Sequence, residues 1–320
     1  PLLMAAFKAL GGHAAAFLVV PLTGALLVWS TFLIGARLGS SHIGVGAAWL
    51  VATSPTVLMM YRSQMSDVPA AAFWALATWG VLGVSTRAAV GGGLCAAVAV
   101  LIRPNLVPLA AVLGLLPIVR GQWTRAVAFT AGVVPAVLVI ATINASLFGS
   151  PLASGYGALD DLFSIAYVPT NVERYTRWLI DTQTPLALAG PLTLLLAPQM
   201  LWSTPEARVG ARLLGVVLIT VWGLYLAYIP FDAWWFLRFL LPGWPALTTG
   251  MAATVFWALD RPGLSWGRPT AVAVLISVGA FGVLSATTRH VFPEGEGVAR
   301  YASIATLVGQ YTEPDAVVLS

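Results

Sequence analysis

Ten stretches of this chain carry no Asp, Glu, Lys or Arg and are mostly apolar: 14–36, 43–60, 69–85, 88–102, 104–119, 126–147, 185–202, 213–231, 239–259 and 269–288. Most run 17 to 23 residues, which at 1.5 Å per residue matches a hydrocarbon core of about 30 Å. The two short ones, 88–102 and 104–119, are divided by Arg103-Pro104. They read as short helices meeting at a turn close to one membrane surface. The pattern predicts an all-α fold, a polytopic transmembrane helical bundle of about ten membrane segments. A long polar connection at 148–184 and a polar tail from Arg289 onward interrupt it.

Composition agrees with that pattern. Of 320 residues 59% are hydrophobic and 9% charged, against roughly a quarter charged in a soluble domain. The net charge of +4 would invite a nucleic-acid partner, but the basic residues are almost all Arg and scattered singly, with no basic stripe. They belong at membrane flanks, so the expected partner is a lipid bilayer and no nucleic acid. Cys95 stands alone, and His13, His42 and His290 show no ligand spacing. The chain begins at Pro1 and ends at Ser320 in a polar stretch, and is read here as a piece of a longer protein. The Ala/Val/Arg-rich, Lys-poor composition points to a bacterial plasma (inner) membrane.

Charge at the segment ends gives an orientation. With the first stretch running inward, inner loops hold Arg37, Arg87, Arg120, Arg125, Arg208, Arg212, Arg261 and Arg268, while short outer loops hold Lys8, Arg62, Arg103 and Arg238. Of the acids only Glu206 and Asp260 fall inside. The chemistry is therefore expected on the outer, extracytoplasmic face. Trp178, Trp202, Trp234 and Trp235 fall near segment ends, where an aromatic belt would lie. Gly91-Gly92-Gly93, inside a segment, reads as a helix-packing site.

Four constellations on that outer face could carry chemistry. In Tyr61 through Pro69, Asp67 stands at a helix start, either capping it or offering a carboxylate to a metal or sugar. Arg103 in Leu101-Ile102-Arg103-Pro104-Asn105 either snorkels to headgroups or grips a phosphate. Arg238, in Trp234 through Pro242, sits beside aromatics that either anchor the interface or cover a lipid tail or sugar ring. The loop Phe148 through Gly157, with Tyr156 and then Asp160 and Asp161, is either a solvated acidic loop or a site for an acceptor or a divalent metal ion. The sequon at Asn144-Ala145-Ser146 is set aside, since it lies at a segment end.

Together these pieces resemble the GT-C glycosyltransferases, in the group that contains protein O-mannosyltransferases and aminoarabinose transferases. Pro1-Leu2-Leu3, Ser66-Asp67-Val68-Pro69, Leu101 through Asn105, Asn144 through Gly157 and Arg238-Phe239-Leu240-Leu241-Pro242 are similar to that group's motifs, in order and on one face. The resemblance implies a transmembrane unit at 1–289 and the start of an extracytoplasmic segment at 290–320. It implies transfer of a sugar from a polyprenyl-phosphate donor to a protein, lipid or glycan acceptor, by inverting displacement. It places the carboxylate base ahead of Pro1, leaves Asp67 as an auxiliary acid, and without that base implies an inactive piece. Arg103, Arg238 and Arg62 are then the groups expected on the lipid phosphate, where leaving-group charge develops. Tyr156, Asp160, Asp161 and Asn105 are expected on acceptor or sugar. A transporter or lipid flippase is the competing class. It calls for charged side chains near the bilayer midplane, and the apolar stretches carry none.

Overall fold

A computed structural model describes residues 2–153, 155, 159–261, 265–292 and 296–313. The chain is helical: α1 (Leu2–Ala16), α2 (Val19–Leu38), α3 (Ser41–Ala52), α4 (Pro55–Tyr61), α5 (Asp67–Leu82), α6 (Thr86–Ile102), α7 (Val107–Val119), α8 (Trp123–Phe148), α9 (Leu159–Leu162), α10 (Val168–Gln183), α11 (Leu186–Leu196), α12 (Pro198–Leu201), α13 (Pro205–Leu226), α14 (Trp244–Leu259), α15 (Gly267–Thr288) and α16 (Glu296–Tyr311). Short 3₁₀ helices cover Pro104–Leu106, Ile165–Tyr167 and Trp234–Gly243. Among the described residues the one β contact is an isolated bridge between Phe163 and Tyr228.

Local sequence explains the helix boundaries. Ser40, Ser85 and Thr204 cap α3, α6 and α13, each side chain accepting from a backbone N–H three residues on. Proline sets several breaks. Ser54 before Pro55 is extended, as a residue ahead of proline tends to be, and this divides α3 from α4. Four helices, α2, α8, α13 and α15, are long and apolar enough to cross a membrane alone. Two bent pairs raise that to six: α3 with α4 at 60°, and the segment Ile165–Gln183 with α11 at 112°. α5, α6 and the segment Pro104–Val119 are shorter apolar helices. Length and composition thus yield four to six spans against the ten apolar stretches, because α5, α6, α7 and α14 run to 17 residues or fewer.

Two expectations need correction. The polar connection expected at 148–184 holds α10, whose buried Asn171, Tyr175, Trp178, Leu179 and Thr182 recur at helical spacing on one face. Of the four tryptophans expected in an aromatic belt, Trp178 and Trp202 are buried in protein instead. They fill gaps between helices.

Packing centres on α5, α6 and α14, with Trp74 and Trp244 fully enclosed. Small residues bring the backbones together. A Cβ on Gly93 would lie 2.3 Å from the Phe129 carbonyl oxygen of α8, and one on Gly80 would lie 2.7 Å from the Gly92 Cα. The glycine run therefore packs helices at Gly92 and Gly93, whereas Gly91 faces open space. α8 turns a row of apolar side chains outward, among them Val127, Leu138 and Leu147. Such a surface is at home in lipid rather than water.

Candidate functional site

The site grows from two helix ends. Asp67 is the first residue of α5 and is buried, while Ser66 holds the cap position ahead of it. Arg103 follows the last residue of α6. Pro104 pushes the residue before it out of the helical region, and Arg103 leaves the helix with φ −139° and ψ 88°. Arg103 Nη1 then donates to Asp67 Oδ1 at 2.6 Å, with side chains only 12% and 6% exposed. Both helix-end residues singled out in the sequence are thus one buried ion pair. Asp67 does not cap its helix, and Arg103 does not reach for headgroups.

Aromatic rings surround the pair. The Arg103 guanidinium lies 5.4 Å from the centre of the Phe239 ring and 5.8 Å from that of Tyr225. Those two rings are stacked, 5.1 Å apart and 8° from parallel. Asn105 donates from Nδ2 to the Tyr225 hydroxyl at 2.8 Å. Arg238 approaches from the 3₁₀ helix Trp234–Gly243. Its guanidinium lies 5.2 Å from the same Phe239 ring and 5.1 Å from Phe236, and Nη1 meets Met65 Sδ at 2.6 Å. Arg103 and Arg238 both lie within 5.4 Å of one ring centre, so the two cations are no more than about 11 Å apart. The Asp67 carboxylate pairs with Arg103, and Arg238 has no carboxylate partner among the described residues.

A cavity of about 560 Å³ adjoins the pair. Ser66 and Ile102, the residues just before Asp67 and Arg103, are in its wall. Leu3, Met4, Val20, Pro69 and Leu101 make the rest apolar, and Gln64 and Ser66 are its polar members. Two buried polar atoms at this edge have no hydrogen-bond partner, Arg238 Nε and Gln64 Oε1. Buried polar groups are normally satisfied, so Gln64 Oε1 in the cavity wall and Arg238 Nε are open to a further partner. Two further cavities, of about 290 Å³ each, lie against α3 and α14 at His42 and Phe256.

The remaining candidates separate. Arg62 is exposed and its Nη1 donates to the Val291 carbonyl, tying the 62–66 loop to the end of α15. Asn105 is committed to Tyr225. Asp161 is exposed on α9, which is joined to the aromatic segment by Ile229 N–H donating to the Leu162 carbonyl at 2.9 Å. Tyr156 and the side chain of Asp160 lie outside the described residues. Among the described residues no three His, Cys, Asp or Glu side chains converge, and the Asp67 carboxylate already faces a cation. Tyr225 was not visible as a site residue in the sequence. It is an ordinary aromatic near the end of an apolar run, 120 residues from its partner Asn105.

Neither a protein-family model nor a curated protein matches the sequence. The structure does have a solved counterpart: the crystal structure of ArnT from Cupriavidus metallidurans in the apo state superposes with a TM-score of 0.60. That match is 16% identical and covers 98% of this chain and 70% of that one. The chain shares the fold of that ArnT structure over nearly its whole length.

Proposed function

We propose that this chain is a membrane glycosyltransferase that takes a sugar from a polyprenyl-phosphate donor at the face bearing Asp67 and Arg103. One observation carries the reading: two guanidinium groups over a single phenyl ring, beside a mostly apolar cavity of about 560 Å³. A long apolar tail fits such a cavity, and a phosphate fits the cations at its edge. In the reaction the acceptor atom forms a bond to the sugar anomeric carbon while the bond from that carbon to the lipid phosphate oxygen breaks. The bonding electrons leave with the phosphate, and fixed cations in a dry site stabilise that charge as it develops. The acceptor proton goes to a carboxylate base, as the family resemblance implies. Asp67 serves by holding the Arg103 guanidinium in place.

The Arg bias of the segment ends supports the extracytoplasmic side for this face, and the composition supports a bacterial inner membrane. The shorter apolar helices α5, α6, α7 and α14 complete the ten embedded segments in this reading. For a transporter or flippase, ionised groups are expected near the midplane. The enclosed ionised side chains Asp67, Arg103 and Arg125 all lie at helix ends.

The test is binding of a polyprenyl phosphate to the full-length protein in detergent. Arg103→Ala and Arg238→Ala should each weaken it by about tenfold to a hundredfold, the scale of a charge-assisted hydrogen bond. Arg238 is outside the ion pair, so its loss leaves Asp67–Arg103 intact. Binding by both variants equal to that of the unmodified protein would refute the assignment.

A further inference from the structure

Three arginines gather at the opposite end of the bundle, around the turn from α5 to α6, and the proposed transfer has no use for them. Arg125, in the first turn of α8, is 6% exposed. Its Nη2 donates to the carbonyls of Val81, at 3.0 Å, and Gly83, and its Nη1 to Gln122 Oε1. Its Nε is buried with no partner. Arg37, at the end of α2, places its guanidinium 5.2 Å from the Trp79 ring centre. Its Nη1 reaches the same Gly83, lying 3.2 Å from where a Cβ there would stand. Arg120, just after α7, donates to the Glu206 backbone carbonyl at 3.3 Å. Arg37 and Arg120 both act on Arg125 as like charges.

The negative charge at hand does not balance this. The carbonyls at the end of α5 supply about half an elementary charge. Glu206 is the acid that acts on Arg120, yet burial still pulls that guanidinium below its ordinary range. Among the described residues the ion pairs are Asp67–Arg103 and Asp260–Arg268, and none involves these three arginines. An anion is therefore the missing component. Its source follows from the surroundings. Val84 in the α5–α6 turn is 86% exposed, Val119 beside Arg120 is 78% exposed, and Trp123 and Val127 flank Arg125 from the outside. A soluble anion leaves these apolar side chains in water. A phospholipid covers them with acyl chains while its phosphate meets the arginines.

We propose that Arg37, Arg120 and Arg125 form a binding site for the phosphate of an anionic phospholipid, at the end of the bundle opposite Asp67. It is independent of the sugar-transfer reading, since no residue is shared between the two sites. Arg125 fastens the α5–α6 turn from within, and Arg37 and Arg120 complete the grip from the more exposed side.

The experiment uses full-length protein in detergent, titrated with dioleoyl phosphatidylglycerol, dioleoyl phosphatidylcholine or inorganic phosphate. Bound lipid is counted by native mass spectrometry, and the thermal midpoint is followed in parallel. Phosphatidylglycerol should bind at one saturable site and raise the midpoint, while the other two do neither at equal concentration. The double variant Arg37→Gln/Arg120→Gln, which spares the buried Arg125, should bind phosphatidylglycerol about tenfold more weakly or worse. Arg120→Gln alone should move in the same direction, and Arg261→Gln, whose guanidinium stacks on Trp257, should bind as the unmodified protein does. Undiminished binding in the double variant overturns the proposal. So does an equal response to phosphatidylcholine, which would mean unselective lipid contact, or to inorganic phosphate, which would mean a soluble anion.

Discussion

The Asp67–Arg103 pair predicts a large and specific energetic coupling. Both side chains are nearly enclosed, at 6% and 12% exposure, and the contact is 2.6 Å. An exposed ion pair contributes about 0–1 kcal/mol, but removing one member of a buried pair leaves an uncompensated charge and costs about 3–5 kcal/mol. Here Asp67→Ala strands the Arg103 guanidinium among Tyr225 and Phe239. The two rings return about 1 kcal/mol through cation–π attraction, so the expected loss is about 3 kcal/mol. Arg103→Ala strands the carboxylate instead, where the start of α5 offers only partial compensation through its dipole. With both residues replaced no buried charge remains, and the double variant should be little worse than either single one. The assay is a double-mutant cycle on reversible unfolding in mixed micelles, with circular dichroism as the readout. A coupling of about 2 kcal/mol or more is expected. Additivity to within about 0.5 kcal/mol, the limit for independent sites, would show that solvent or lipid screens the pair and that it does not organise the site.

Two further predictions concern neighbours of the pair. Tyr225→Phe removes the hydroxyl that accepts from Asn105 at 2.8 Å but keeps the ring stack on Phe239; stability should fall by about 1 kcal/mol in the same unfolding assay, and a loss beyond about 3 kcal/mol would mean the ring itself had moved. Gly93→Ala puts a methyl group 2.3 Å from the Phe129 carbonyl oxygen, whereas Gly91→Ala meets nothing within 4 Å. The first should cost about 1–3 kcal/mol and the second should be neutral or stabilising by up to about 1 kcal/mol, a contrast that thermal midpoints of the two variants will check.

Much of the site's chemistry was legible in the sequence, and most of its geometry was not. Ser66-Asp67-Val68-Pro69 reads as a helix start and Arg103-Pro104 as a helix end, because proline restricts its own position and the one before it. Arg103 leaves α6 where those rules put it, whereas α5 starts at Asp67, two residues ahead of Pro69. That Asp67 and Arg103 then meet depends on α5 and α6 packing antiparallel at glycine contact distance, a tertiary fact no local pattern records. Tyr225 is the same case at longer range. α10 is different, since its signal was present in the sequence. Its apolar positions recur at helical spacing, but a search for charge-free runs passes over a segment carrying Glu173, Arg174, Arg177 and Asp181. Periodicity, not the absence of charge, identifies a helix lying half against protein and half against water. Of the acidic loop, Asp161 is exposed on α9, and Tyr156 and the side chain of Asp160 lie outside the described residues.

Charge placement separates the two ends of this bundle by chemistry as well as by position. At one end a carboxylate neutralises Arg103 and leaves Arg238 with an unfilled donor beside an apolar cavity. At the other, carbonyls of a helix end partly neutralise Arg125 and leave its cluster short of negative charge. The first arrangement suits a ligand that arrives, reacts and leaves, because the fixed ion pair survives the departure. The second suits a resident lipid, because its phosphate would stand between like charges gathered around the buried Arg125. α5 and α6 run between the two sites, joined at Gly80 and Gly92, and α6 is joined to α8 at Gly93. A lipid fastened at the α5–α6 turn therefore steadies the helices whose far ends carry Asp67 and Arg103.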